Sequence, residues 1–440
     1  MSRLREHKFS NYPLLISLFM IIFPALCLVV DTEEVFEINT PTCYENVTIR
    51  LNRSLIVNSV LNLRNVTLIM EPSSDGALQI IVNGELNILE SVIKSANPEY
   101  GYNITYNPGS RGRIVNSTIE DVGAYSRHQL NPGLLILSSH VNVVGNEFRH
   151  CRGTCIWGMA SNLTIANNLF EETRQGGIQI GAPDVICHNV TVANNTLIRM
   201  GKLGRPPYEI CHAGSDEGIG IDFQSSTGRI YGNLIVEGRC SAIEIERGSR
   251  VDVYNNVVLD NLDWGMNIHD PGTKVVLHNN TIKNIILRGP IWVYDGAELI
   301  RKVIKADFKV SRVNGSMLMV FFDGSDSYSL SAYADIDIIK FIWDFGDNNT
   351  TTTDQPTIIH SYKKSGKYEV TLSVVDERGF KGSITRVVEI PLKVTGKPPS
   401  KTSPPSSRTK LITPTWPLAI GVLIAITIIV AAYIFAKSQK

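Results

Sequence analysis

Six short stretches decide the fold: VVGNEF (143–148), IANNLF (165–170), VANNTL (192–197), IYGNLI (230–235), VYNNVV (253–258) and LHNNTI (277–282). Each runs apolar, any, Asn or Gly, Asn, any, apolar. Their fourth positions, Asn146, Asn168, Asn195, Asn233, Asn256 and Asn280, follow one another at intervals of 22, 27, 38, 23 and 24 residues. Weaker copies precede them: LRNVTL (63–68), ILESVI (88–93) and IVNSTI (114–119). A second signal recurs one turn later in each repeat: GGIQI (176–180), GIGI (218–221), SAIEI (241–245), WGMNI (264–268) and GPIWV (289–293). A small residue followed by strict alternation predicts a strand. A unit of this size with two or three short strands and no helix cannot bury its apolar face alone. Stacking units coil on coil does so and pairs the strands in parallel. Asn at one corner of every coil predicts a ladder of amides along the axis, and Asn tolerates the left-handed backbone of a corner. About nine coils are expected. Of the 33 Asn, 29 fall between residues 31 and 300, as a repeated corner requires.

This pattern resembles the right-handed parallel β-helix family, the pectin-lyase-like solenoids, over residues 31–300. From residue 304 the repeat stops. The segments Phe322-Asp-Gly-Ser, Trp343-Asp-Phe-Gly-Asp347 and His360-Ser-Tyr-Lys-Lys-Ser-Gly-Lys-Tyr resemble a PKD domain over 304–392. That resemblance implies an immunoglobulin-like β-sandwich, with Trp343 and Phe345 in its core and Asp344 and Asp347 forming turns. In that family the module is a spacer or a binding unit. The expected fold class is therefore all-β: a parallel β-helix, then a β-sandwich, then one C-terminal transmembrane helix.

The ends predict a surface location. Arg3, Arg5, His7 and Lys8 precede an apolar run, Leu14–Val30, which reads residues 1–30 as a signal peptide or an uncleaved signal anchor. Leu418–Ala436 carries no charge and is long enough to cross a bilayer; with Trp416 it forms a transmembrane helix over 416–436. Lys437 and Lys440 in the tail, 437–440, place that tail in the cytoplasm. Residues 393–415, rich in Pro, Ser and Thr, read as a solvated stalk. Asn-x-Ser/Thr acceptors such as Asn65, Asn103, Asn162 and Asn189 agree with an outside location. Outside the leader lie Cys43, Cys151, Cys155, Cys187, Cys211 and Cys240, an even number that permits disulfides of undetermined pairing. The 42 basic and 42 acidic side chains cancel, which argues against nucleic acid as a partner.

One outward strand face is the candidate place for chemistry or binding, and the alternative reading of its charges is a solvated face with no role. Alternation predicts a row Gln179, Gly220, Glu244, Asn267, Trp292 and a second row Gly181, Asp222, Glu246, His269, Tyr294. Rungs lie ~4.8 Å apart, so Asp222, Glu244, Glu246 and His269 form one patch. As catalytic residues they would supply an acid and a base for polysaccharide cleavage. No resident cofactor is implied; the alternative to catalysis is Ca²⁺ held by Asp222, Glu244 and Glu246, an ion abundant outside cells. Gln179, Asn267, Trp292 and Tyr294 are candidate ligand-binding residues, the two aromatics as sugar-stacking surfaces or as packing against the next domain. The longest interval contains an insertion, 199–218, that offers Arg205, His212, Asp216 and Glu217 as a rim. Arg149, Arg152, Arg174 and Arg239 sit in turns, either solvated or available to an acidic glycan.

Known β-helix polygalacturonases carry Asn-Thr-Asp-Gly, Asp-Asp and Gly-His-Gly before successive strands. Here Ser215-Asp216-Glu217-Gly218, Gly238-Arg239-Cys240 and Asp263-Trp264-Gly265 stand in similar register without the Asp pair or the His. The first reading is therefore a membrane-anchored cell-surface protein that recognises extracellular polysaccharide or glycoprotein glycans without cleaving them. The second is a tethered polysaccharide lyase or glycoside hydrolase. The third, an accessory β-helix of extracellular copper-enzyme maturation, lacks a Met/His-rich cluster.

Overall fold

Every coil lays down one strand in each of three parallel 11-stranded sheets. The computed structural model describes residues 35–124, 132–202, 218–301, 303–313 and 316–392, with the backbone of 27–29. Residues 1–26 of the expected leader, the stalk from residue 393 and the 416–436 segment lie outside these residues, while Cys27–Val29, at the leader's end, form a β-helix strand. Among the described residues no helix is long and apolar enough to cross a membrane.

There are eleven rungs rather than nine. The two beyond the count open the solenoid: one holds the strand Cys27–Val29, and the next is entered at Asn46-Val47, where an apolar residue takes the inward place of the second Asn. The opening strand, Cys27–Val29, pairs in parallel with Thr48–Arg50. Inward residues stack in register up each sheet. One column runs Ile119, Phe148, Phe170, Leu197, Ile235 and Val258, all fully buried. Within it the Phe148 and Phe170 rings stack at 5.0 Å. Each such side chain contributes about 1.5–3 kcal/mol on leaving water, which the isolated coil cannot gain.

The two residues of each Asn corner divide the work. The first adopts the left-handed backbone: Asn116, Asn167, Asn194, Asn255 and Asn279 have φ of 50°, 58°, 54°, 56° and 50°, and Gly145 and Gly232 take the same place. The second is turned inward and buried. Asn195 shows the pattern. Its Oδ1 accepts from the backbone N–H of Asn168 (3.0 Å) and from Asn168 Nδ2 (2.9 Å), while its own Nδ2 donates to Ile165 O (3.0 Å) and to Asn233 Oδ1 (3.0 Å). The same bonds link Asn146, Asn168, Asn195, Asn233, Asn256 and Asn280 in one line. Above them Ser91 and Ser117 serve as hydroxyl substitutes. A second, exposed ladder joins Asn39, Asn58, Asn83 and Asn107.

Cys151 and Cys155 form a disulfide, and Cys240 is also disulfide-bonded. Cys43 and Cys187 are free thiols, so the even count did not mean complete pairing.

The sandwich comprises sheets of two, three and four antiparallel strands. Trp343 and Phe345 are buried in its core, and Asp344 and Asp347 accept turn N–H groups from Gly346 (3.0 Å) and Asn349 (3.2 Å). It docks on the third β-helix sheet. There Asp252 accepts from Arg378 Nη1 (2.7 Å) and from the backbone N–H of Ala332 (2.7 Å). Arg378 also pairs with Asp376 (2.9 Å). Tyr254, Val276, Val303, Ala332 and Phe380 form a small apolar cluster around this ion pair.

Two outcomes follow. Asn195→Ala strands the buried N–H of Asn168 and should lower unfolding stability by about 2–4 kcal/mol in chemical denaturation, whereas Asn194→Gly should cost under about 1 kcal/mol. Asp252→Ala removes one partner of a buried pair and should cost about 3 kcal/mol or more, read as a lower melting temperature and faster proteolysis at the junction.

Candidate functional site

The outward face of the second sheet carries the predicted residues. Its strands Ile178–Ile180, Ile221–Gln224, Ile243–Glu246, Met266–Ile268 and Ile291–Val293 point Ile178, Ile221, Ile243, Met266 and Ile291 inward. Outward, the first row reads Gln179, Asp222, Glu244, Asn267, Trp292. Asp222 thus stands beside Glu244, not in the row of Glu246, and Gly220 is not in the row at all. Gly218 and Gly220 present the same small-then-apolar signature two residues apart. A slip by two leaves every side chain on its face, so alternation cannot detect it. The second row is Gln224, Glu246, then His269 and Tyr294 just beyond their strands. Gln224 was not foreseen for that reason.

Trp157 was also missed, although TCIWG (154–158) has the right alternation. It precedes Gln179 in the first row, and its Nε1 donates to Gly181 O (2.7 Å). Indoles therefore bracket the polar stretch, Trp157 at one end and Trp292 at the other, five rungs or ~24 Å apart.

Polar contacts tie the rows together. Gln224 Nε2 donates to Asp222 Oδ2 (2.7 Å) and Asn267 Nδ2 to Glu244 Oε1 (3.0 Å). His269 Nε2 lies 3.0 Å from Glu244 Oε1 and 3.6 Å from Glu246 Oε2; its Nδ1 lies 3.1 Å from Asp270 Oδ1. Arg247 pairs with Glu246 at 3.3 Å. Burial alone would lower the His269 pKa, but hydrogen bonds to Glu244 and Asp270 and the charges of Glu244 and Glu246 raise it to about 9. His269 therefore carries its proton at neutral pH. Asp270 is held below the usual carboxylate range: burial raises it, but the His269 hydrogen bond and the Arg247 N–H outweigh that.

The rings form a second feature. His269 stacks on Tyr294 (5.0 Å), Tyr294 on Trp292 (4.3 Å) and Trp292 on Trp264 (4.6 Å). Arg288 caps the series 5.6 Å from the Trp264 ring and pairs with Asp263 at 2.7 Å. Trp292 stands in register beside Asn267 and Tyr294 stacks on His269, so both rings lie on the face of the second sheet. Gln179, Asp222, Gln224, Glu246, Asn267 and His269 are all buried, so this is not the flat, open face of a plain scaffold.

Glu244, Glu246 and His269 present metal-donor atoms within 4.8 Å of one another. This set differs from the Asp222, Glu244, Glu246 trio expected for Ca²⁺. An imidazole suits a transition ion better than calcium, and it binds only after losing its proton. Arg205, His212, Asp216 and Glu217 lie outside the described residues. Arg149 pairs with Glu147 (2.9 Å) and Arg152 with Asp75 (3.0 Å), so these turn arginines are occupied locally.

Residues 55–205 match the family described as right handed beta helix region, and residues 317–391 match the PKD domain. The chain is a right-handed β-helix joined to a PKD domain. It is similar to a microbial collagenase of Vibrio alginolyticus, 43% identical over 53 residues, 12% of this chain and 6% of the collagenase. The chain therefore spans a small fraction of that relative's length. Among solved structures, the PKD1 domain of the Vibrio cholerae metalloprotease PrtV is 28% identical, with 20% of this chain and 96% of that one covered and a TM-score of 0.16. An alginate lyase from Paenibacillus is 12% identical, with 56% and 91% covered and a TM-score of 0.35. At these scores neither likeness speaks to activity.

The His269 shift makes stability depend on pH. The folded pKa lies above the unfolded one, near 6.5, so the stabilisation is complete below pH ~6.5 and lost as pH rises through 9. It amounts to about 2–3 kcal/mol. Denaturation curves of the parent should weaken over that interval and those of His269→Gln should stay flat; equal slopes would refute the charged imidazole.

Proposed function

We propose that the protein is a cell-surface carbohydrate-recognition protein, held to the membrane by Leu418–Ala436, whose second β-helix sheet binds a polysaccharide or glycoprotein glycan without cleaving it. The observation that carries this reading is the unbroken series Trp264, Trp292, Tyr294, His269 abutting the row Gln179, Asp222, Glu244, Asn267. Flat rings match the apolar faces of sugars, and carboxylates and amides accept and donate to hydroxyls; the two together on one surface are what glycan binding requires. Burial and mutual hydrogen bonding hold these groups in place before a ligand arrives, which limits the entropy lost on binding. The extracellular location rests on the leader and on Leu418–Ala436.

A second reading is favoured by one observation. Protonated His269 sits between Glu244 and Glu246, an acid beside two bases, which is the equipment of a lyase or hydrolase acting on a glycan.

The test is a glycan array probed with the full chain in detergent, followed by assay of each retained polysaccharide for new reducing ends and unsaturated products. Retention without products is expected. Trp292→Ala should weaken retention at least tenfold, the loss of a central aromatic contact. Products that vanish in Glu244→Gln and His269→Gln would establish the enzymatic reading instead. No retained glycan would overturn both.

A further inference from the structure

We propose that the cleft between the PKD sandwich and the third β-helix sheet is a second saccharide site, specific for a sugar that carries a carboxylate or sulfate. The cleft measures about 570 Å³ and is shared by the two domains. That volume suits one or two sugar rings, and domain junctions are common ligand sites. It does not involve the second sheet and stands independently of the reading given to that face.

Its floor is aromatic. Tyr231 and Tyr254 occupy equivalent positions on neighbouring rungs, and their rings stack at 4.9 Å with 3° between planes. Tyr254 is fixed from behind by the edge-on ring of Phe380 (4.9 Å, 87°). Tyr231 is half-buried and Tyr333 of the sandwich lines the opposite wall.

Charge selects the ligand. Two arginines line the cleft. Arg378 is committed to Asp252 and Asp376, with its side chain 4% exposed. Arg229 is different. It lies between Thr191 and Asp252 in register, yet its Nε donates to Thr191 Oγ1 (3.1 Å), and it makes no ion pair among the described residues. The guanidinium keeps donors for a planar anion, which it reads bidentately. Asn189, Asn255 and Glu377 on the same lining offer amide and carboxylate partners for hydroxyls. A bare anion would use Arg229 alone and meet Glu377 unfavourably. A neutral sugar would leave Arg229 unused. A ring with hydroxyls and one negative group satisfies all of them.

Methyl glucuronide and methyl glucoside would be titrated calorimetrically into the detergent-solubilised full chain, made without N-glycosylation so that Asn189 stays bare. The glucuronide should bind at least tenfold more tightly. Arg229→Gln should remove that preference, Arg229→Lys should retain part of it, and Tyr231→Ala should weaken both sugars. Unchanged melting temperatures confirm that these variants fold. The proposal is overturned if Arg229→Gln keeps the preference, or if the glucuronide shows no binding at about 10 mM, beyond which a site confers little. It is also overturned if Trp292→Ala abolishes the preference, which would assign the charged sugar to the second sheet, or if inorganic sulfate alone binds as tightly.

Discussion

Everything in the β-helix depends on one buried row of side-chain amides. A parallel coil must turn sharply at a corner where backbone N–H and C=O groups are left without ladder partners, and inside the protein such groups are costly. Asn is the side chain that answers this in a translationally repeating way. Its amide both donates and accepts, so each copy can pair with the copy above and the copy below while satisfying the local backbone. Asn146, Asn168, Asn195, Asn233, Asn256 and Asn280 do this without interruption. Because the row admits one residue per rung, it holds the six rungs it crosses in a single register. The outward rows of the second and third sheets inherit that register, and with it the stacking of Tyr231 on Tyr254 and of Trp292 against its neighbours.

The same row explains what the sequence revealed. A side chain that must recur at one corner leaves a trace that survives variation elsewhere, so the fold and its extent were legible. Ser91 and Ser117 keep the chemistry with a hydroxyl and leave a weaker trace, but where Val47 stands in place of the inward Asn the trace is lost, and rungs were undercounted. The PKD signature was legible for a similar reason: Trp343, Phe345, Asp344 and Asp347 hold a core and turns that tolerate few alternatives. The site was legible as a face and not as a register. Alternation reports which side of a strand a residue occupies, with a period of two, so Asp222 could be assigned to its face and rung but not to its row, and Gln224 was passed over. Trp157 obeyed the same alternation and went unread because it lies outside the acidic stretch.

Protonation was beyond reach of the pattern altogether. Three carboxylates on neighbouring rungs, Asp222, Glu244 and Glu246, bring like charges into conflict. The structure relieves the conflict with one imidazole, placed so that Glu244 and Asp270 bind its two nitrogens and Glu246 adds its field. That arrangement depends on His269 lying just past its strand, where the chain turns and the ring can reach back across a rung. Its ring then continues into Tyr294 and Trp292, so the charged cluster and the aromatic platform are one assembly.

The junction shows why the sandwich is more than a spacer. The apolar cluster there has only five buried members, too few to define an orientation by themselves. Arg378 supplies the definition. Asp376, Ser329 Oγ and Leu330 O of its own domain hold the guanidinium in place, and its Nη1 reaches Asp252 on the third sheet, which also accepts from Ala332 N–H. A buried ion pair of this kind adds little net stability but penalises every misaligned alternative, because displacement leaves charges unpaired away from water. The third sheet is therefore occupied in a fixed geometry, and the cleft beside it has rigid walls. The second sheet carries carboxylates and stacked rings and the third carries Tyr231, Tyr254 and Arg229, so one solenoid presents two chemically distinct faces.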